Sequence, residues 1–141
     1  MPNAAKPALL LIVLLFLPCC SRQKTINVDE LRSEFISAAS FAAEAETFIE
    51  YVLENRATRA FAQGHVEYLA DEVDRTAKEL HRVTPDESTG PGLRECRTEV
   101  DVLAKELTAV RLGIDNPEVL AASKQRIEKI RRALTEANSS L

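Results

Sequence analysis

The amino-acid sequence predicts an all-α protein, an antiparallel bundle of four helices. Three observations carry that expectation. Four successive segments space their apolar residues at alternating steps of four and three, the signature of helices packed at small crossing angles. The composition favours helix, rich in Ala, Leu, Glu and Arg, with aromatics at 5%, no Trp and only 4 Gly. No segment sustains the period-two alternation of a half-buried strand.

The first seam runs Leu31, Phe35, Ala38, Ala42, Ala45, Ile49 and Val52. Asn27, followed three residues later by Glu30, offers a capping box at its start. Phe41 and Phe48 lie one heptad apart beside the seam and widen its apolar face, while the three alanines let a neighbour approach closely. The second seam is Ala62, Val66, Leu69, Val73, Thr76, Leu80 and Val83. Two prolines and two glycines between Thr84 and Gly92 stop any helix there. The third seam runs from Leu93 to Ile114, its helix stops at Gly113, and Asn116-Pro117-Glu118 restarts the fourth with a cap and a proline at the first helical position. Its seam is Leu120, Ser123, Ile127, Ile130, Leu134, Ala137 and Leu141.

The boundary between the first two segments is the least marked. Residues 54–59 contain neither Pro nor Gly, and only Asn55 and Thr58 favour a break. The alternative is one long helix from Val28 to Val83, about 84 Å at 1.5 Å per residue, followed by a helical hairpin. Charge argues for the bundle. The first segment to Glu54 carries seven acids and one base, and the last, Pro117 to Asn138, carries five bases and three acids. Opposite signs suit the first and fourth helices of an up-down-up-down bundle, which are neighbours.

The N-terminus has a different character. Met1 to Lys6 holds one positive side chain, Ala8 to Leu17 is an unbroken apolar run, and Pro18-Cys19-Cys20-Ser21 follows. Ten helical residues span about 15 Å, half of a bilayer core, which suits a signal peptide better than a membrane span. Leu17-Pro18-Cys19-Cys20 resembles the lipobox of bacterial lipoproteins, with Leu three residues before the lipidated cysteine and a small residue just before it. Cys20 fits that pattern best, and Cys19 is the alternative. The resemblance implies removal of residues 1–19, diacylglycerol on the Cys20 sulfur and an acyl chain such as palmitate on its nitrogen. Ser21 in the next position implies export to the outer membrane, facing the periplasm. Residues 20–27 would then be the lipidated cysteine and a short tether, and residues 28–141 the helical domain.

The mature chain would hold 17 basic and 22 acidic side chains, a net charge of −5, which argues against nucleic-acid binding. No phosphate-binding glycine loop, Gly-x-Ser-x-Gly elbow or His-Glu-x-x-His motif is present. The sequence therefore calls for no catalytic residues, metal or other cofactor. His65 and His81 lack the helical spacing of a ligand pair, and surface positions are the plain expectation for both. His65, beside Gly64 and near Phe61 and Tyr68, is the better candidate for a ligand or partner contact, with Tyr68 beside it. Arg126, Lys129, Arg131 and Arg132 make the last helix locally basic. Pairing with the acidic first helix is the simplest role for them. A partner or anionic-lipid contact through Arg126, Lys129 and Arg132 is the alternative. Cys96 falls on the third seam and reads first as a small buried hydrophobe, with an intermolecular disulfide or a reactive thiol as alternatives.

The function this reading favours is a non-enzymatic, membrane-anchored lipoprotein of the cell envelope that acts by protein–protein contact, as adaptor, assembly factor or structural subunit. The runner-up is a periplasmic bundle that binds a small molecule or metal near His65 and Tyr68. The expected partners are the membrane, through the lipid, and an envelope protein; self-association is a further outcome the sequence leaves open.

Overall fold

A computed structural model describes residues 24–141, so the signal segment, Cys19 and Cys20 lie outside the described residues. A two-residue strand β1 (Thr25–Ile26) leads into helix α1 (Val28–Leu53) and then α2 (Arg59–Arg82). A second short strand β2 (Thr84–Pro85) precedes α3 (Gly90–Leu112) and α4 (Pro117–Ser139). The four helices form an antiparallel bundle, as the seams predict.

The boundaries follow from local chemistry. Asn27 and Glu30 close the capping box reciprocally, at 2.9 Å and 3.1 Å. Asn116 caps α4, accepting from the Glu118 and Val119 amides, with Pro117 as first helical residue. Between α1 and α2 the long-rod alternative fails at two residues. Asn55 takes φ 56°, a left-handed conformation that a helix cannot continue through, and the Thr58 hydroxyl accepts from the Phe61 amide to start α2. At the next reversal Gly113 is required for space: a Cβ there would stand 2.5 Å from Val119 Cγ1.

The break makes a sharp expectation for proline. Thr58, at φ −69° and ψ 151°, already has the backbone that a residue before proline adopts, and Arg59 is the first helical position. Arg59→Pro should therefore change stability by no more than about 1 kcal/mol, the worth of the exposed Arg59–Asp115 ion pair it removes. In a continuous rod the same proline would cost about 3 kcal/mol or more. Chemical denaturation separates the two, and a loss of the larger size would restore the rod. Position 56 is a poorer probe, because the Arg56 N–H donates to the Tyr51 carbonyl at 3.1 Å.

The predicted seams are the core. Leu31, Phe35, Ala38, Ala42, Ala45 and Ile49 from α1 are buried together with Val66, Leu69, Leu93, Leu103, Leu107, Ile127 and Leu134. Cys96 is completely buried among them, and desolvation pushes its thiol up to about 12. The alanine seam lets α1 and α4 pack most extensively of all the helix pairs. Their opposite charges meet as expected, Arg131 Nε on Glu46 Oε1 at 2.6 Å and Lys124 Nζ on Glu50 Oε2 at 3.0 Å. The α2–α3 and α3–α4 edges also pack closely, but the α1–α2 edge is loose. That looseness positions the site described below.

One feature departs from the sequence reading. Thr25 and Ile26, expected in the tether, belong to the fold: they pair in parallel with Thr84 and Pro85. The Thr84 amide donates to the Lys24 carbonyl at 2.9 Å, and the buried Thr89 hydroxyl donates to the Ile26 carbonyl at 3.1 Å. Ile26 joins the core with 3% exposure, which accounts for the preference. The linker that starts α1 is thus clamped to the α2–α3 loop at one end of the bundle, here termed the basal end. Asp86 organises that loop, accepting from the Ser88 and Thr89 amides and the Ser88 hydroxyl, and these donors hold its carboxyl below the usual range. Arg97 closes the basal end of α2, donating to the Leu80 and Val83 carbonyls at 2.9 and 2.7 Å.

Candidate functional site

The loose α1–α2 edge opens a groove of ≈ 510 Å³ toward the end of the bundle away from the basal clamp. From α1 it is lined by Ala43, Glu44, Thr47, Phe48 and Tyr51, and from α2 by Phe61 and His65. Helical spacing builds both walls, since residues three and four apart share a face. Phe61, His65 and Tyr68 follow one another up α2 at steps of four and three, and Glu44, Phe48 and Tyr51 do the same on α1.

The rings form a continuous ladder. Phe48, almost buried, forms the floor and meets Phe61 edge-on at 6.4 Å and His65 at 4.6 Å between centroids. Phe61 and His65 stack at 5.6 Å, and Tyr68 continues the row 6.2 Å beyond His65. His65 Nε2 lies 3.3 Å from Glu44 Oε1, so one carboxylate crosses the groove from α1 to α2. At the far end the Arg56 guanidinium covers the Tyr51 ring at 4.8 Å. The outer rungs face solvent: Phe61 and Tyr68 are 53% and 55% exposed. Between them Gly64 has nothing within 4 Å of where a Cβ would stand.

The structure thus brings the sequence candidates His65 and Tyr68 together, in a setting the sequence showed only in part. The sequence pattern places Phe61 beside them on α2, but not Glu44, Phe48 and Tyr51, which come from α1. Phe48 read as core, which it also is. A helical wheel of α1 holds the missing signal: Glu44, Phe48 and Tyr51 share its flank, off the alanine seam.

The basic candidates do not join this site. Arg126 bridges to Glu106 at 2.8 Å and to the Ser123 hydroxyl at 3.1 Å, and Arg132 pairs with Glu128 on its own helix. Lys129 is exposed and makes no ion pair with any described residue. His81, on the α2–α3 side, sits against Asp101 at 3.0 Å, at the edge of a recess lined by charges of both signs including Asp71, Asp74, Lys105 and Arg111. Among the described residues no group of three or more His, Cys, Asp or Glu side chains could hold a metal ion. No described helix is long and apolar enough to cross a membrane. No family model matches the chain, and no curated protein or solved structure matches it significantly. Chemically, the groove can take up apolar or aromatic surface along a ladder of rings; its one carboxylate and one imidazole are engaged with each other.

Proposed function

We propose that this chain is a non-enzymatic lipoprotein of the cell envelope, anchored through Cys20 and acting by protein–protein contact through the aromatic ladder. The observation that supports it best is the pair of half-exposed rings, Phe61 and Tyr68, flanking a glycine whose side is open. Large exposed aromatics on a stable scaffold are the usual anchors of a contact, and an open glycine lets a partner backbone come close. Exposed glycine within a helix is otherwise a cost of about 0.5–1 kcal/mol relative to alanine. From Val28 to Phe48, twenty residues of helix, the ladder stands about 30 Å along the bundle from its basal end. The runner-up, a periplasmic small-molecule binder, draws on the same groove, whose ≈ 510 Å³ falls in the range of ligand pockets.

The test combines stability with site-directed crosslinking in native membranes. Gly64→Ala is expected to raise stability by about 0.5–1 kcal/mol, because its methyl meets nothing in the free protein. A photo-crosslinking side chain at Tyr68 should trap one protein adduct of defined mass, which a probe at Val102 on α3 does not. Phe61→Asp should abolish that adduct while the helical signal stays intact. If no adduct forms, or if Phe61→Asp leaves it unchanged, the contact reading fails; protection of the groove by extracted small molecules would then favour the runner-up.

A further inference from the structure

The lining of the aromatic groove is unbalanced in charge. Apart from the imidazole of His65, Glu44 is the one ionisable group among the lining residues that is charged at neutral pH, and His65 cancels it only when protonated. No lysine or arginine lines the groove. The bases around it are already paired with acids of their own: Arg56 with Glu54 at 3.0 Å, Arg59 with Asp115 at 2.6 Å, Lys124 with Glu50 at 3.0 Å, and Arg75 with Glu72. Thr47 donates its hydroxyl hydrogen to the Ala43 carbonyl at 3.0 Å and is left an acceptor. Glu44 engages His65 through Oε1 at 3.3 Å, and one imidazole does not exhaust the two oxygens of a carboxylate. Phe48, Tyr51 and Phe61 add three carbocyclic rings to the walls. Such a lining disfavours an anion and favours a cation, which the quadrupole of the rings attracts.

The chain itself shows which cation these rings accept. At the end of the groove the Arg56 guanidinium lies 4.8 Å over the Tyr51 ring and pairs with Glu54 Oε2 at 3.0 Å, so one ring and one carboxylate hold it together. Further in, the same combination recurs with no base of the chain in the lining: Phe61 over the Phe48 floor supplies the rings, and Glu44 the carboxylate. A guanidinium stacks on rings and is more weakly hydrated than an ammonium, so it loses least on entering. The groove is open along its length, and a free small ion in it would keep much of its surface in water, unlike the ligand of an enclosed pocket. A side chain delivered by a protein brings a backbone with it, and the open side of Gly64, between Phe61 and Tyr68, leaves room for one. We infer that the aromatic groove receives an arginine side chain of the partner protein, its guanidinium set against the Phe61 ring and the Glu44 carboxylate. The inference rests on the contact reading above and adds its chemistry: the anchor that enters the groove is cationic.

Tyrosine emission reads the site directly. The chain has 2 Tyr and no Trp, and Tyr51 lines the groove while Tyr68 continues its ladder. Purified full-length protein is titrated with a short peptide that carries one arginine between two leucines, and with its citrulline counterpart, which keeps the shape and removes the charge. The arginine peptide should bind roughly ten-fold more tightly, as a desolvated cation–π contact beside a carboxylate allows. Glu44→Gln should remove most of that preference. Glu67→Gln makes the same charge change at an exposed α2 residue outside the lining and should leave the preference intact. Phe61→Leu keeps apolar bulk but loses the ring, and should weaken the arginine peptide about three-fold more than the citrulline peptide. The inference is overturned if the arginine peptide does not bind, if the two peptides bind equally, or if Glu67→Gln lowers the preference as much as Glu44→Gln. Each of those results stands even where the Tyr68 crosslink still forms, so this inference and the contact reading fail separately. Binding of n-butylguanidinium as tight as that of the arginine peptide would overturn the assignment to a partner side chain and favour a free organic cation.

Discussion

Leu103→Ala is expected to destabilise the bundle by about 2–5 kcal/mol, through lost burial and the cavity left behind. Leu103 is 0% exposed on the α3 seam, so the void would open inside the core. A domain of this size is stable by about 5–15 kcal/mol in all, so a single truncation can consume a third of that margin. Val102→Ala is the matched control, one residue away but 37% exposed, and should change stability by about 0.5 kcal/mol or less. Cys96→Ser falls between, at about 1–3 kcal/mol, because it places a hydroxyl in an apolar, fully buried site. The same burial should keep the native thiol slow toward alkylating reagents at neutral pH, since only the thiolate reacts and the pKa stands near 12. Denaturation midpoints across the three variants measure the grading. Equal losses for Leu103→Ala and Val102→Ala would contradict the assignment of the α3 seam as core, and rapid Cys96 alkylation would reopen the reactive-thiol and disulfide alternatives.

How much of this was legible in the sequence depends on the range of the interaction. Helix positions follow from short-range rules, so Asn27 with Glu30, Asn116 with Pro117, and the four seams all stand where the spacing places them. The α1–α4 pairing was legible from the opposite charges, which meet at Glu46–Arg131, whereas the alanine seam announced a close neighbour without saying which helix it would be. The β1–β2 clamp left no trace, because two residues per strand are too few to set up an alternation and their partners lie 59 positions apart. The site was half legible for a related reason. Phe61, His65 and Tyr68 are a local pattern on α2, but the opposite wall depends on how far α1 and α2 separate. That spacing follows from the α1–α4 and α2–α3 contacts, and no heptad pattern reports it.

The proposed anchor carries the other large effect. Cys20→Ala is expected to abolish acyl labelling and move the protein from the membrane to the soluble envelope fraction, whereas Cys19→Ala should leave both unchanged. The energetic reason is simple: buried acyl chains contribute about 0.8 kcal/mol per methylene, so several chains make detachment negligible and none leaves nothing to replace them. Among the described residues no helix can substitute by crossing the bilayer. The fold should not notice the change. Its core begins at Ile26, and the basal clamp binds Lys24 and Ile26 through backbone groups, so the released bundle should unfold at the same temperature as the anchored one. Residues 21–23 then span no more than about 10 Å between lipid and clamp, less than half the reach expected had all of residues 21–27 been free. Loss of labelling with Cys19→Ala alone would shift the modified residue by one. Membrane retention of both variants would refute the lipoprotein reading while leaving the bundle and its aromatic ladder as they are, because neither depends on the lipid.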